Sequence, residues 1–444
     1  MAPLDSPATP RNSDLDTAVA DARERYSAAR PHSEAAHAKA RAVLPGGNTR
    51  SILFYTPFPT AMVRGEGCWL EDLDGHRYLD LCGEYTAGLF GHSEPRIQAV
   101  LHAAIDRGIN LAAVGEHEAK LAAILCARFP SLERVRFTNS GTEANMMALA
   151  TARAYTEREP ILAFRGAYHG GVMSFAAAGA RTNAPFPVTL ADYNDLDGAA
   201  AQLASGGFAA VILEPMMGAG GCIPAERAFL AGLRAAATAS GTVLVFDEVM
   251  TSRHSAGGLQ RKHGITPDLT TLGKYVAGGM SFGGFGGRAD IMELFDGHRP
   301  NALAHAGTFN NNVLSMAGGV VAMGEIFDDA AADALWARGE KLRDDVNAAC
   351  ASRGAEMQFT GMGSMMQPHF RLGEIVRPYA ATPREEALRE LFFFDLMEGG
   401  VYIARRGATA LSLPVGDAEC RRYVEVVDRF CVTRGPLLRV EVPA

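Results

Sequence analysis

Between about Leu79 and Ile326 the chain alternates short strand-like runs with longer Ala-rich windows. Val135-Arg136-Phe137, Ile161 to Phe164, Ala210 to Leu213 and Val243 to Phe246 are brief and mostly apolar, as strands covered on both faces are. Glu143 to Glu157 and Ala225 to Ser240 have the length and composition of helices. Strand and helix in turn predict an α/β fold with a largely parallel sheet. Upstream, Asp14 to Val43 is rich in Ala, Arg and Glu, which predicts a helix that stops at Pro45-Gly46-Gly47. Ala61 to Tyr78, punctuated by Gly-Glu-Gly and Asp-Gly, predicts a small antiparallel meander. After Asp328 the pattern changes to a helix (Ala330 to Ser352), a β-rich stretch through Phe370, a helix (Pro383 to Glu398) and a strand near Ala410 to Leu413. The expected organisation is an N-terminal segment (1–78) contributing to a small α+β domain, a large domain (79–328) and the C-terminal small domain (329–444).

Composition narrows the classes of function. Of 444 residues 48 are glycine, without a Gly-X-Y period, and 48% are apolar, which excludes collagen and low-complexity coil. The net charge of -8 comes with no run of like charges, so a nucleic acid is not an expected partner. The seven cysteines never show C-x-x-C spacing and read as reduced thiols of a cytoplasmic protein. The twelve histidines show no metal-ligand spacing. Met1 to Asn12 has no apolar core and is read as a frayed tail, not a secretory signal. The longest uncharged stretch, Pro300 to Gly324, contains Asn310, Asn311 and Asn312, so no membrane span is expected.

Three segments carry chemistry. The apolar run Val243 to Phe246 ends on Asp247 and Glu248, and in wound sheets ligands sit outside the carboxyl ends of strands. A turn-capping aspartate is the plain alternative. Second, Lys274 lies in Thr270-Thr-Leu-Gly-Lys-Tyr-Val-Ala-Gly-Gly279, between an apolar strand and a glycine pair, and seven glycines fall between Gly273 and Gly287. A desolvated lysine has a lowered pKa and attacks carbonyls; a lysine snorkelling from the core is the alternative. Third, Asn139-Ser140-Gly141-Thr142-Glu143 opens the first of the helical windows, with Ser140 and Glu143 spaced as a capping box. The free N–H groups of such a helix start suit a phosphate. An acid at a strand end, a reactive amine and a phosphate cradle together point to pyridoxal phosphate. Gly284-Phe-Gly-Gly-Arg-Ala289 matches the dinucleotide fingerprint, but no clear strand precedes it and no acid follows near position 308, so a nucleotide is not expected.

With these residues in view, the chain resembles the class III aminotransferases of pyridoxal-phosphate fold-type I from about Ala36 to Pro414. The resemblance implies that Lys274 binds the cofactor aldehyde and Asp247 pairs with the ring nitrogen. It implies further that Ser140, Gly141 and Thr142 hold the phosphate, that Tyr168 stacks on the ring and that Glu214 lies near its hydroxyl side. Thr308 matches a threonine that reaches the phosphate of a neighbouring subunit, which implies a homodimer. Asp247-Glu-Val-Met-Thr251 and Pro267 to Lys274 look like the glutamate-1-semialdehyde aminomutase branch. Arg50 with Leu53-Phe-Tyr55, Gly83-Glu-Tyr-Thr-Ala-Gly88, Thr308-Phe-Asn-Asn-Asn312, and Arg406-Gly407 with Leu411-Ser-Leu-Pro414 look most like the β-phenylalanine aminotransferases.

A β-amino acid and an α-keto acid place their carboxylates at different distances from the reacting carbon. One site must therefore offer two carboxylate positions, and the forked guanidinium suits each. Arg50 and Arg406 are expected to bind them, although Arg405 sits beside Arg406 and either could be a surface residue. Phe54, Tyr85 and Phe309 are candidates for an aromatic pocket, with core packing as the alternative. The leading reading is an aminotransferase that passes the amine of an aromatic β-amino acid to 2-oxoglutarate or pyruvate. An aminomutase-like isomerase and a non-catalytic α/β binding protein are the alternatives.

Overall fold

In the computed structural model, which describes residues 14–176 and 180–439, the chain begins with two helices where the sequence predicts one. They are Leu15–Ala28 and Pro31–Arg41, and Pro31 is the cause of the break. It has no N–H with which to continue the first helix, and it occupies the opening position of the second, where that N–H would lack an acceptor anyway. The expected frayed tail, Met1 to Asn12, lies outside the described residues. The meander forms as expected, with β1 (Met62–Glu66), β2 (Trp69–Asp72) and β3 (Arg77–Asp80) paired antiparallel in sequence order.

Next come β4 (Arg134–Thr138), β5 (Ile161–Phe164), β6 (Val188–Ala191) and β7 (Ala210–Leu213). A short ribbon of β8 (Met216–Met217) and β9 (Ile223–Pro224) precedes β10 (Val243–Asp247), β11 (Leu269–Gly273) and β12 (Gly283–Gly287). Seven of these make one sheet in the order β4-β12-β11-β10-β7-β5-β6. Every neighbouring pair is parallel except those made by β12, which runs against both β4 and β11. Val211 and Leu213 of β7 enter a core with Phe229 and Leu230, while Ala210 and Ile212 enter another with Ala144 and Ala148. The strands are covered on both faces by this two-residue alternation, which is why they read as apolar runs.

The glycine stretch that imitates a nucleotide fingerprint is mostly β12 itself, so it cannot be a loop leading from strand to helix. Glycine is needed there because a Cβ at Gly283 would collide with the carbonyl oxygen of Ser140. The rest of the chain adds β13 (Gln358–Met362), β14 (Met365–His369), β15 (Val401–Tyr402) and β16 (Thr409–Ala410). β13, β14 and β16 form a three-stranded sheet, and β15 lies parallel to β3 beside the meander. The strand expected at Ala410 to Leu413 is only two residues long because the chain changes partners. The Leu411 N–H donates to Ser364 O at 2.8 Å and the Leu413 N–H to Leu89 O at 2.7 Å. Helix Leu15–Ala28 packs on helix Pro383–Glu398, with the Tyr26 and Phe394 rings 5.0 Å apart. Among the described residues no helix is long and apolar enough to cross a membrane.

Candidate active site

The parallel strands deliver their following residues to one edge of the sheet. Ser140 follows β4, Tyr168 lies beyond β5, Glu214 follows β7, Asp247 ends β10 and Lys274 follows β11. Asp247 is 4% exposed and its carboxylate is fixed from three sides. His169 Nδ1 shares a 2.7 Å hydrogen bond with Oδ2, Asn145 Nδ2 donates to the same oxygen at 2.8 Å, and the Val249 N–H donates to Oδ1 at 3.0 Å. Asn145 is itself oriented, since its Oδ1 accepts from Thr271 Oγ1 at 2.6 Å and its Nδ2 also reaches His169 O at 3.1 Å. A carboxylate held this rigidly is preorganised to face a cation.

Glu214 is the second buried acid. Its oxygens accept the Tyr168 N–H at 3.1 Å and the Gly218 N–H at 2.9 Å. Burial, reinforced by the charge of Asp247, pushes its carboxyl up to about 7 despite nearby His169 and those amides. Lys274 stands in the same field. Burial pushes its amine below the ordinary lysine range, and Asp247 and Glu214 pull it back only in part. Its backbone has φ +56°, the left-handed region, which costs a residue with a Cβ on the order of 1–2 kcal/mol. The chain turns sharply out of β11 at Lys274.

The helix Gly141–Thr156 is capped by Ser140, whose Oγ accepts the Glu143 N–H at 3.2 Å. The return half of the expected capping box is displaced. Glu143 reaches back one residue further, to the Asn139 N–H at 2.9 Å and the Asn139 side-chain amide at 3.2 Å, because both donors lie together there. The first-turn N–H groups of Gly141 and Thr142 have no acceptor within the helix. Thr142 Oγ1 takes the Gly171 N–H at 3.3 Å, and a Cβ at Gly170 would strike that hydroxyl. The arrangement offers an amine, a fixed anion and a helix start with unused donors, which fits the aldehyde, ring nitrogen and phosphate of pyridoxal phosphate. The ring of Tyr168, 42% exposed, is free to lie against a flat cofactor.

Further out, Gly83, Glu84, Tyr85 and Thr86 all have positive φ, from +47° to +81°, making one left-handed turn. Arg50 Nη1 donates to Glu84 Oε1 at 2.5 Å, its guanidinium carbon lies 5.6 Å from the Tyr85 ring centre, and Tyr85 OH donates to Ile52 O at 3.3 Å. Arg405 and Arg406 separate cleanly. Arg405 turns away to Glu390 at 2.9 Å. Arg406 forms no ion pair among the described residues, and its Nε is buried without a hydrogen-bond partner. Its charge acts on Lys274, Tyr168 and Tyr85.

The chain thus brings together the predicted site residues apart from Thr308, Phe54 and Phe309. Thr308 is exposed and touches none of the others through a hydrogen bond, while Phe54 and Phe309 are 51% and 56% exposed. The sequence reading missed His169, Asn145 and Glu84. Asn145 had a signal, a lone amide on the same helix face as Ala144 and Ala148; Glu84 had none, being 34 residues from its partner.

Residues 54–426 match the aminotransferase class-III family. The chain is 49% identical over 426 residues to a β-phenylalanine transaminase of Variovorax paradoxus, covering 96% of this chain and 98% of that one. The crystal structure of a β-phenylalanine aminotransferase from the same organism superposes with a TM-score of 0.93, covering 96% and 99% of the two chains. A glutamate-1-semialdehyde 2,1-aminomutase of Desulforudis audaxviator is 37% identical over 396 residues, covering 85% and 91%. The chain belongs to the class III aminotransferases. It has their fold-type I architecture and is a transaminase that depends on pyridoxal phosphate, which sets aside the reading as a non-catalytic binding protein.

Proposed function

We propose that this transaminase takes its amino group from an aromatic β-amino acid such as β-phenylalanine and gives it to an α-keto acid, 2-oxoglutarate or pyruvate. The observation that carries the reading is the pair of arginines near the lysine. Among the described residues Arg406 has no carboxylate partner, and Arg50 has only the half-exposed Glu84. Together they offer two carboxylate positions, which a donor and an acceptor of different length require. The 49% identity to a β-phenylalanine transaminase supports the same substrate class.

Pyridoxal phosphate, when bound, supplies a carbonyl for amine exchange and a ring that draws off electrons. Lys274 holds it and, once displaced, moves a proton from the amine-bearing carbon of the substrate, with its lowered pKa favouring the neutral base. Asp247 keeps the ring nitrogen protonated, oriented by His169 and Asn145. Ser140, Gly141 and Thr142 hold the phosphate, Tyr168 lies on the ring face and Glu214 faces its hydroxyl side. Arg50 and Arg406 hold the substrate carboxylates, with Tyr85 on the same rim.

The protein works as a homodimer in which Thr308 reaches the partner's phosphate. Exposed Leu111, Val114 and Phe309 support this, since Asn311 Nδ2 donates to Ala113 O at 3.1 Å and draws the two segments together. The seven unpaired cysteines support a cytoplasmic location. The packing of helix Leu15–Ala28 on helix Pro383–Glu398 supports the division into 1–78, 79–328 and 329–444, with the first segment joining the last. Incubation with β-phenylalanine and 2-oxoglutarate is expected to form glutamate. Isomerisation of glutamate 1-semialdehyde without an acceptor, and no transfer from β-phenylalanine, would favour the aminomutase instead.

A further inference from the structure

Arg253 is 1% exposed and lies in the turn Thr251–His254, shortly after Asp247 and Glu248. It forms no ion pair among the described residues. Its donors go instead to three oxygens from three separate parts of the chain. Nε donates to Ser364 Oγ at 2.9 Å, Nη1 to Thr86 O at 3.2 Å, and Nη2 to Leu411 O. A buried guanidinium without a carboxylate is costly to keep, and a hydrophobic residue of similar volume would commonly be more stable there.

The three acceptors share a direction. Thr86 ends the left-handed turn that presents Glu84 to Arg50 and Tyr85 to the rim. Leu411 directly follows β16, the strand reached from Arg406 through the tight bend at Gly407, which has φ +96°. Ser364 joins β13 to β14, and its carbonyl oxygen accepts the Leu411 N–H at 2.8 Å. A carbonyl in a left-handed turn has no ladder partner of its own, and only a planar fork with several donors reaches all three acceptors at once. We infer that Arg253 is a positioning residue for both carboxylate-binding arginines, fixing the turn that pairs with Arg50 and the strand that follows Arg406. The inference rests on the proposed roles of Arg50 and Arg406.

The test uses holoenzyme carrying Arg253→Lys, with Ser364→Ala as the milder change that removes one arm of the fork. KM is measured separately for β-phenylalanine and for 2-oxoglutarate, alongside kcat and the absorption of the bound cofactor. Loss of a hydrogen bond to a charged group is expected to raise both KM values about tenfold in Arg253→Lys and roughly threefold in Ser364→Ala. kcat and the cofactor spectrum should stay within about twofold, a split that general loosening of the fold would not produce. A fall in kcat at unchanged KM, or a KM rise confined to one substrate, would overturn the inference. If Arg253→Lys does not fold, Ser364→Ala decides by the same criteria. Arg50→Ala separates the two levels: unchanged KM for both substrates sinks the carboxylate reading itself, whereas a raised KM there with neither Arg253→Lys nor Ser364→Ala affected sinks only the positioning role.

Discussion

Asp247 and Glu84 are both acids that hold a partner at the site, but they are built in opposite ways. Asp247 is 4% exposed and receives three donors, one of which is oriented by a fourth residue. The Glu84 side chain is 57% exposed and its bond to Arg50 is its one ion pair among the described residues. The contrast follows from what each must meet. A cofactor presents the same atoms in every turnover, so its contacts gain from being fixed beforehand. Two substrates of different length present carboxylates in turn, so the groups that meet them must be able to exchange partners. The floor of the site is therefore part of the sheet edge, while its rim is a strained turn tied to an exposed ion pair.

The largest expected effect breaks the floor. Lys274→Ala should reduce transamination by about 10⁴-fold or more, since base and acid are lost together, and borohydride should no longer fix cofactor to the chain. Activity close to normal would contradict the assignment. Asp247→Asn comes next, with kcat lower by roughly 10²–10³-fold and KM nearly unchanged, because its charge is used in the reaction and not in substrate capture.

Glu214 gives a pH-dependent effect on stability in protein freed of cofactor. Its folded pKa, about 7, stands above the unfolded carboxylate value of 4.5, so the folded state binds the extra proton. Its contribution is greatest at pH below 4.5 and is lost as pH rises through 7. The melting temperature of the wild type is therefore expected to fall by a few degrees more than that of Glu214→Gln between weakly acid and weakly alkaline pH. Equal slopes for the two proteins would refute the raised pKa. The smallest effect belongs to the rim. Glu84→Gln keeps an acceptor that positions Arg50 but removes the charge that, on the role proposed for Arg50, competes with a substrate carboxylate, and an exposed pair is weak, so KM should fall by up to about fivefold. A large rise in KM would instead place Glu84 among the groups that bind substrate.

The same contrast separates what the sequence reveals from what it hides. Asp247 and Lys274 each follow an apolar strand, and Ser140 caps a helix, so one stretch of neighbours identifies each. The edge of the sheet then brings them together by topology alone. Glu84 and Arg50 meet only because four consecutive residues adopt positive φ, three of them not glycine, and local propensity argues against that turn. Arg405 and Arg406 are alike in sequence, and only Glu390, on the helix Pro383–Glu398, takes one of them out of the site. The displaced capping box has a similar origin, because the added side-chain donor of Asn139 decides where Glu143 points.

Transamination from an aromatic β-amino acid is checked by following donor and product together. Holoenzyme is mixed with β-phenylalanine and 2-oxoglutarate, and the glutamate formed is counted against the β-phenylalanine consumed. One glutamate is expected for each β-phenylalanine lost over many turnovers. No glutamate from β-phenylalanine, under conditions in which the same preparation isomerises glutamate 1-semialdehyde, would contradict it.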